Sequence, residues 1–179
     1  MKQANTKEFN TCSGLMNDET FQQSLETYNS LLEEGIDPFQ HMLQMQYDLQ
    51  FALADKSPEN NPKPNELNTL GQKFDWLREN KQAFDDEYSE LVDALPGMSM
   101  EAKDRSAVCK LWKSNYNEVR SMTFNDLSEE DIKELKFEYI DALIFFMNMS
   151  FALDIDSREI FIYFYAKVAE NHRRSKNGY

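Results

Sequence analysis

The run from Ile140 to Leu153 constrains the fold more than any other segment, because it is apolar almost all the way round a helix. Such a run belongs in a core or at an interface. Glu138 and Asp141 stand three residues apart at its start, and a helix places such a pair on one face. A buried carboxylate is costly unless it is paired or bound to a cation. The sequence therefore predicts a helix whose acidic groups meet a partner or a metal ion.

A second acidic pair, Glu87 and Glu90, has the same spacing in another segment with helical periodicity. Four carboxylates from two helices would form a hard-cation site that suits Mg²⁺. The alternative is a solvated helix face, on which acidic pairs three residues apart are common. That alternative applies more readily to Glu87 and Glu90, which have no adjoining apolar run, than to Glu138 and Asp141.

Glycine and proline are scarce, with five of each among 179 residues, and this favours long helices over strands and turns. The length suits one domain with a real core, so we expect a single all-α domain over residues 1–179. Residues 1–17 are polar, and we expect them to be flexible. Cys12 and Cys109 form no disulfide framework, which makes a reducing cytoplasm the expected setting.

Caps and helix breakers divide the chain into seven predicted helices. They cover residues 20–34, 38–54, 66–79, 82–95, 99–122, 128–153 and a last segment from 156 to the basic end of the chain. Asp37-Pro38 and Ser128-Glu-Glu-Asp are typical helix starts. Gly35 and Pro96-Gly97 are typical helix ends.

The net charge of −13 argues against partners that are themselves strongly negative. Such a surface repels nucleic acid and anionic membrane, so neither is expected as a partner. The longest apolar run is interrupted by Asp141, Asn148 and Asp154, which argues against a membrane span. The start, MKQANTKEFN, shows no signal segment. A glycine-rich phosphate loop is absent from the sequence, and two histidines are too few for a zinc cluster.

Two groups of polar residues could meet a nucleotide. Basic and amide side chains that could hold phosphate are Lys110, Lys113, Lys167, Asn171 and Arg174. For those near the end of the last helix, complementing the helix dipole is an ordinary alternative. Gln46 and Gln50 lie four apart within an apolar stripe, where they are either structural hydrogen bonders or readers of a base edge.

In order and spacing, several segments together resemble the all-α dCTP/dUTP pyrophosphatases of phages, relatives of the dimeric dUTPases and the MazG-like pyrophosphohydrolases. The segments are DPFQHMLQMQYDLQ, the E-x-x-E of DDEYSEL, LPGMS, CKLWK, KFEYIDALIFFMN and KVAENHRRSKNGY. The resemblance covers about residues 37–179.

The resemblance implies a role for each candidate residue. Metal ligands fall on Glu87, Glu90, Glu138 and Asp141; base-reading amides fall on Gln46 and Gln50; phosphate-side residues fall on Lys110, Lys167, Asn171, Arg174 and Tyr179. It also implies that residues 172–179 are a tail that closes over the phosphates. Val168, Ser175 and Ile144 depart from the family pattern.

The function that the resemblance implies is Mg²⁺-dependent hydrolysis of dCTP and dUTP to the monophosphate and pyrophosphate. That activity would clear both nucleotides from the DNA precursor pool. We expect a homodimer, in the host cytoplasm if the protein is phage-encoded. Two alternatives stay open: a dimeric dUTPase specific for dUTP, and a non-catalytic acidic helical protein that binds a basic partner.

Overall fold

A computed structural model describes residues 18–58 and 61–177, and these residues form helices and turns without any strand. Along the described residues run seven α-helices: α1 Asp18–Glu34, α2 Pro38–Lys56, α3 Leu70–Ala94, α4 Ala102–Arg105, α5 Tyr116–Ser121, α6 Glu129–Ala152 and α7 Ser157–Asn177. Short 3-10 helices lie at Pro64–Glu66, Ser106–Val108 and Phe124–Asp126. The predicted all-α class is confirmed. The expected flexibility of residues 1–17 lies outside the described residues.

Helix boundaries that depend on local caps lie where the sequence predicts them. Gly35 follows α1 with a φ of 72°, a conformation that glycine adopts without strain. The side chain of Asp37 caps α2 by accepting a hydrogen bond from Phe39 N at 3.0 Å. At the start of α7, Asp156 Oδ1 accepts from Glu159 N at 2.7 Å. Each cap satisfies a backbone donor that the first turn leaves open.

The prediction of two helices over residues 66–79 and 82–95 is wrong, because α3 is continuous for 25 residues. The sequence from 72 to 95 contains neither glycine nor proline, and Asn80 alone weakens a helix by less than about 1 kcal/mol. The helix begins at Leu70 rather than 66. Thr69 Oγ1 accepts from Gln72 N at 3.2 Å, and Gln72 Oε1 accepts from Thr69 N at 3.0 Å. This reciprocal capping box fixes the start.

The single helix predicted over residues 99–122 is also wrong. Helix α4 has four residues and α5 has six, and residues 109–115 between them are turns. Lys113 N donates to Lys110 O at 2.9 Å, which closes one of these turns. Ser114 and Asn115 follow, and both residue types compete with helical bonding through their side chains.

The chain divides into two compact units, each built from separate stretches of sequence. The first unit joins the segment ending at Thr27 to Glu79–Phe146. The second unit joins Tyr28–Arg78 to the segment that begins at Met147. The expectation of a single domain stays a prediction.

In the second unit, the core forms around the indole ring of Trp76. This side chain is 5% exposed and packs in one buried cluster with Leu67 and Ala152. Its Nε1 donates to the backbone oxygen of Asn148 at 2.7 Å. Tyr47 of α2 adds an edge-to-face contact with Phe151, the ring centroids lying 5.3 Å apart. These contacts join α2, α3 and the end of α6.

In the first unit, α6 buries polar as well as apolar side chains. Its described buried residues are Asp131, Glu134, Leu135, Glu138 and Ala142. Ile140 and Phe146, both in the run predicted to be buried, are 40% and 59% exposed. The run is therefore only partly covered within one chain.

Helix α7 exposes a cluster of aromatic side chains. Phe161, Tyr163, Phe164 and Tyr165 are each 65–68% exposed. The apolar sequence of residues 160–165 predicts a core segment that lies in part at a subunit interface, but within one chain most of these side chains are exposed. Helix α7 continues to Asn177, so the described part of the predicted closing tail, residues 172–177, is helical. None of the described helices is long and apolar enough to cross a membrane.

Candidate metal centre

Three of the four predicted carboxylate ligands meet in the first unit. Glu87 of α3 and Glu138 and Asp141 of α6 each offer a carboxylate oxygen, and these oxygens lie within 4.8 Å of one another. Glu138 and Asp141 share one face of α6 because they stand three residues apart, and Glu87 and Glu90 share one face of α3 for the same reason. The fourth residue, Glu90, is exposed and lies outside this group of three. Its charge nevertheless acts on both Glu87 and Glu138.

Contacts along α3 and α6 show that the two helices run antiparallel here. Phe84, one turn before Glu87, contacts Phe146 with ring centroids 6.4 Å apart. Towards the other end of α3, Ser99 N donates to Asp131 Oδ1 at 2.9 Å. As the residue number rises along α3 and beyond it, the number of its partner on α6 falls.

Glu138 is the most strongly perturbed carboxyl group of the cluster. Its side chain is 5% exposed, and its buried Oε2 accepts no hydrogen bond from any described residue. Burial, followed by the charges of Glu90, Glu134, Asp141 and Glu87, raises its pKa to about 7. Burial and the charges of Glu90 and Asp141 also raise the pKa of Glu87 above its usual value. Ionising this cluster without a cation is therefore costly.

These features fit a divalent cation. A hard cation takes oxygen ligands, and Mg²⁺ in particular binds through one or a few carboxylates together with substrate phosphates. A positive ion would give Glu138 Oε2 a partner, which residues 18–58 and 61–177 do not provide. It would also lower the pKa values that burial and mutual repulsion raise. The donor set of Glu87, Glu138 and Asp141 suits this role.

Lys110 lies beside the acidic turn of α3. It is half-buried and lines a cavity of about 360 Å³ together with Tyr88 and Ser89, the two residues between Glu87 and Glu90. Lys113 points elsewhere, since its ammonium group donates to Lys103 O at 2.7 Å. The structure therefore brings Lys110 to the acidic turn, while Lys113 is occupied by a backbone carbonyl.

Trp112, between these two lysines, is 79% exposed. The turn that carries both lysines thus presents a large indole ring to solvent.

The predicted phosphate-side residues of α7 share one helix face in the second unit. Lys167, Asn171 and Arg174 are exposed and follow at intervals of four and three residues. Arg174 Nε donates to Glu170 Oε1 at 2.8 Å, so its guanidinium already has an acidic partner. Tyr179 lies outside the described residues.

The two candidate base-reading amides, also in the second unit, differ in environment. Gln46 is 7% exposed, and its Nε2 donates to Asn148 Oδ1 at 2.9 Å. Gln50, one turn later, is half-buried. One amide donor of Gln46 therefore has a structural hydrogen bond, as the alternative from the sequence expects. The side chain of Gln50 makes no hydrogen bond to another described residue.

Some buried polar residues of these units are not evident from sequence. Glu134 is 1% exposed and stands one turn before Glu138, on which its charge acts. Asp131 and Asn148 are 5% and 2% exposed. The position of Glu134 four residues before Glu138 was a usable signal. No sequence signal indicated the burial of Asn148 beside Gln46, because the two residues are 102 positions apart.

Comparison with known proteins defines the family. A protein of Enterobacteria phage LZ5 named dCTP pyrophosphatase is 43% identical over 171 residues, or 96% of this chain and 98% of the relative. A protein of the same name from Enterobacteria phage T4 is 39% identical over the same shares. A second phage T4 protein, named DNA replication protein, is 38% identical over 159 residues, which make up 89% of this chain and 40% of that longer protein. No family model and no solved structure matches the chain.

Fold and sequence thus define an all-α nucleotide-hydrolysing enzyme. More narrowly, the chain belongs to the phage dCTP pyrophosphatase family, as its identity to full-length members of that name shows.

Proposed function

We propose that this chain hydrolyses dCTP to dCMP and pyrophosphate with the help of Mg²⁺. The observation that carries the proposal is the cluster of three carboxylate oxygens within 4.8 Å of one another. Glu138, one of the three residues, has a buried oxygen with no hydrogen-bond partner among the described residues. The names of the phage relatives supply the substrate. Glu87, Glu138 and Asp141 would hold the ion, and Glu90 would add negative charge beside it. A bound Mg²⁺ supplies charge neutralisation of the phosphates and Lewis acidity.

The reaction requires a water molecule to attack the α-phosphorus while the bond from that phosphorus to the bridging oxygen breaks. The proton of the water must pass to a base, and we assign that role to one of the carboxylates of the cluster. The electron pair of the broken bond leaves with pyrophosphate. We assign to Lys110, which lines a cavity together with Tyr88 and Ser89, the stabilisation of the negative charge on that leaving group.

The resemblance supports proposed roles for the remaining candidate residues. We assign contact with the base to Gln46 and Gln50, and contact with phosphate to Lys167, Asn171 and Arg174. Arg174 would exchange its bond to Glu170 for one to phosphate, since guanidinium binds both anions in the same planar geometry. We also propose that residues 172–179 close over bound substrate and that Tyr179 takes part.

We extend the proposal to dUTP as a second substrate, so that the enzyme clears both nucleotides from the DNA precursor pool in the host cytoplasm. Incubation with equal concentrations of dCTP and dUTP measures the preference. Consumption of dUTP alone would favour a dUTP-specific enzyme instead. Release of no pyrophosphate from either nucleotide at saturating Mg²⁺ would favour a non-catalytic acidic binding protein.

We further propose a homodimer. The aromatic side chains Phe161, Tyr163, Phe164 and Tyr165 leave α7 with more exposed apolar surface than one chain covers. A second copy would bury this surface by a symmetric contact. Sedimentation that gives the monomer mass of 21.1 kDa at micromolar concentration would contradict the dimer.

The decisive test of the metal centre is the pair of variants Glu138→Gln and Asp141→Asn. Both keep the size of the side chain but remove an anionic ligand, so we expect the loss of dCTP hydrolysis at any Mg²⁺ concentration. Glu118→Gln, an exposed site on α5, removes the same charge elsewhere and should retain full activity. Near-normal turnover by Glu138→Gln or Asp141→Asn would remove that residue from the ligand set.

A further inference from the structure

The carboxylate of Asp131 joins the ends of the two helices that carry the candidate metal ligands. This side chain, in the first turn of α6, is 5% exposed. Its Oδ1 accepts from Ser99 N at 2.9 Å, and its Oδ2 accepts from Ser99 Oγ at 2.8 Å and from Ser128 Oγ at 2.9 Å. Ser128 belongs to the cap of α6, whereas Ser99 follows the end of α3. We call Gly97, Ser99, Ser128 and Asp131 together the Asp131 latch.

Gly97 brings the backbone beyond α3 into direct contact with this carboxylate. A Cβ atom at this position would lie 3.0 Å from both Cγ and Oδ2 of Asp131 and 3.2 Å from Leu127. The residue also has a φ of 93°, in the region where side chains other than glycine are strained. A larger residue would therefore push the end of α3 away from the start of α6.

The hydrogen bonds keep Asp131 ionised within the protein. Burial acts to raise its pKa, but the bonds from Ser99 and Ser128 outweigh burial and leave the pKa below its usual value. A charged acceptor makes stronger hydrogen bonds than a neutral one. The latch is therefore a firm connection rather than a chance surface contact.

The position of the latch relates it to the metal centre. Glu90 lies seven residues before Gly97, and Glu138 lies seven residues after Asp131. Glu87 lies ten residues before Gly97, and Asp141 lies ten residues after Asp131. Because α3 and α6 run antiparallel, the chain just beyond α3 meets the start of α6 at the latch, and further along the same two helices Glu87 meets Glu138 and Asp141. A slip of one residue moves a side chain by about 1.5 Å along the axis and about 100° around it.

We propose that the Asp131 latch is a positioning device that sets the register of α3 against α6, so that Glu87 faces Glu138 and Asp141 and the cluster binds a divalent cation tightly. Asp131 touches neither metal nor substrate in this role. The proposal deepens the proposed function, because it rests on the metal centre assigned there. It adds a positioning role for Asp131, a buried carboxylate two helical turns before Glu138.

The test measures Mn²⁺ binding to the full chain by calorimetry, without nucleotide, together with the Mg²⁺ dependence of dCTP hydrolysis. Asp131→Ala and Gly97→Ala break the latch from opposite sides. We expect each to weaken Mn²⁺ binding by about tenfold, the lower end of the effect of residues that orient metal ligands. Asp131→Asn should fall between wild type and Asp131→Ala, since its oxygen can still accept from Ser99 N.

Two controls separate positioning from general stability. Asp126→Ala removes a similar cap, because Asp126 Oδ2 accepts from Thr123 N at 2.7 Å and from Thr123 Oγ1 at 2.9 Å, but this cap is local. Trp76→Phe lowers stability through the second unit. Both should bind Mn²⁺ within about twofold of wild type at a temperature where all variants are folded.

Unchanged Mn²⁺ affinity in folded Asp131→Ala would overturn the proposal, as would an equal loss in the two controls. If Asp131→Ala does not fold, Ser99→Ala carries the test. It removes one of the bonds to Asp131, and we expect an affinity loss of about threefold; no loss there counts against the latch. Wild-type protein that binds Mn²⁺ but releases no pyrophosphate would refute the proposed activity alone. Wild-type protein that binds no Mn²⁺ but releases pyrophosphate from dCTP would refute the latch and the assigned metal centre alone. Wild-type protein that does neither would refute both proposals.

Discussion

Replacing Glu138 by glutamine should make the metal-free protein more stable at neutral and alkaline pH. The carboxyl group is 5% exposed, and burial with four neighbouring acidic groups raises its pKa from 4.5 to about 7. One pKa unit corresponds to about 1.4 kcal/mol, so holding this group ionised in the folded state costs on the order of 3 kcal/mol. Glutamine has nearly the same shape and no charge, and it avoids this cost.

The pH dependence gives the prediction its sign. Below pH 4.5 the carboxyl group is protonated in both the folded and the unfolded chain, so it contributes no penalty. Between pH 4.5 and about 7 the unfolded chain has lost the proton while the folded chain keeps it. The free energy of unfolding of the wild type must therefore fall as pH rises through this window. Above pH 7 the full penalty applies.

Urea denaturation in EDTA at several pH values between 4.5 and 8.5 measures this difference. The stability of Glu138→Gln minus that of wild type should grow with pH and level off above about pH 7.5. Added Mg²⁺ should stabilise the wild type and reduce the difference. Glu118→Gln controls for the change in net charge and should show no such rise. A difference that stays constant across the pH range would refute the electrostatic account of the cluster.

Three further predictions concern the side chains of Trp76, Arg105 and Gln50. Trp76→Phe should lower the free energy of unfolding by about 0.5–1.5 kcal/mol in urea denaturation, because the buried hydrogen bond from Trp76 Nε1 to the backbone oxygen of Asn148 is lost. Arg105→Lys should lower the melting temperature, since lysine cannot reproduce the two bonds at 3.1 and 3.2 Å from Arg105 to Asp93; an unchanged melting temperature would contradict this role. Gln50→Ala should weaken the binding of dCTP, measured as KM, by about 1–3 kcal/mol and should leave the affinity for Mn²⁺ unchanged. Equal losses with purine and pyrimidine triphosphates would instead mark Gln50 as structural.

Local signals predicted the parts of the fold that depend on neighbouring residues. Asp37 caps α2 and Asp156 caps α7 through donors two and three residues away, which the sequence shows directly. The predicted break near Asn80 failed because a single poor helix former does not stop a helix. The predicted helix over 99–122 failed for the opposite reason, since turn-forming residues outweighed a plausible start.

In the candidate site, too, the features that depend on local spacing were predictable from the sequence, and those that depend on helix packing were not. Helical spacing correctly placed Glu138 and Asp141 on one face, and the apolar run after them indicated burial. Which carboxylate of α3 faces them depends on how α3 packs against α6, which is distant in the sequence. In the structure Glu87 joins the group while Glu90 stays exposed. The bonds from Ser99 to Asp131 bring together residues 32 positions apart, and no pattern in the sequence indicates them.

The two tryptophans give this protein a pair of built-in optical reporters. Trp76 is buried in the core of the second unit, whereas Trp112 is 79% exposed between Lys110 and Lys113 in the first. Buried indoles emit at shorter wavelengths than solvated ones, so the emission spectrum of the native chain should contain two separable components. The long-wavelength component can be quenched selectively by iodide, and it should respond first when an anionic ligand approaches the lysines. The short-wavelength component should persist until the second unit melts, so unlabelled protein can report ligand contact and unfolding in one titration.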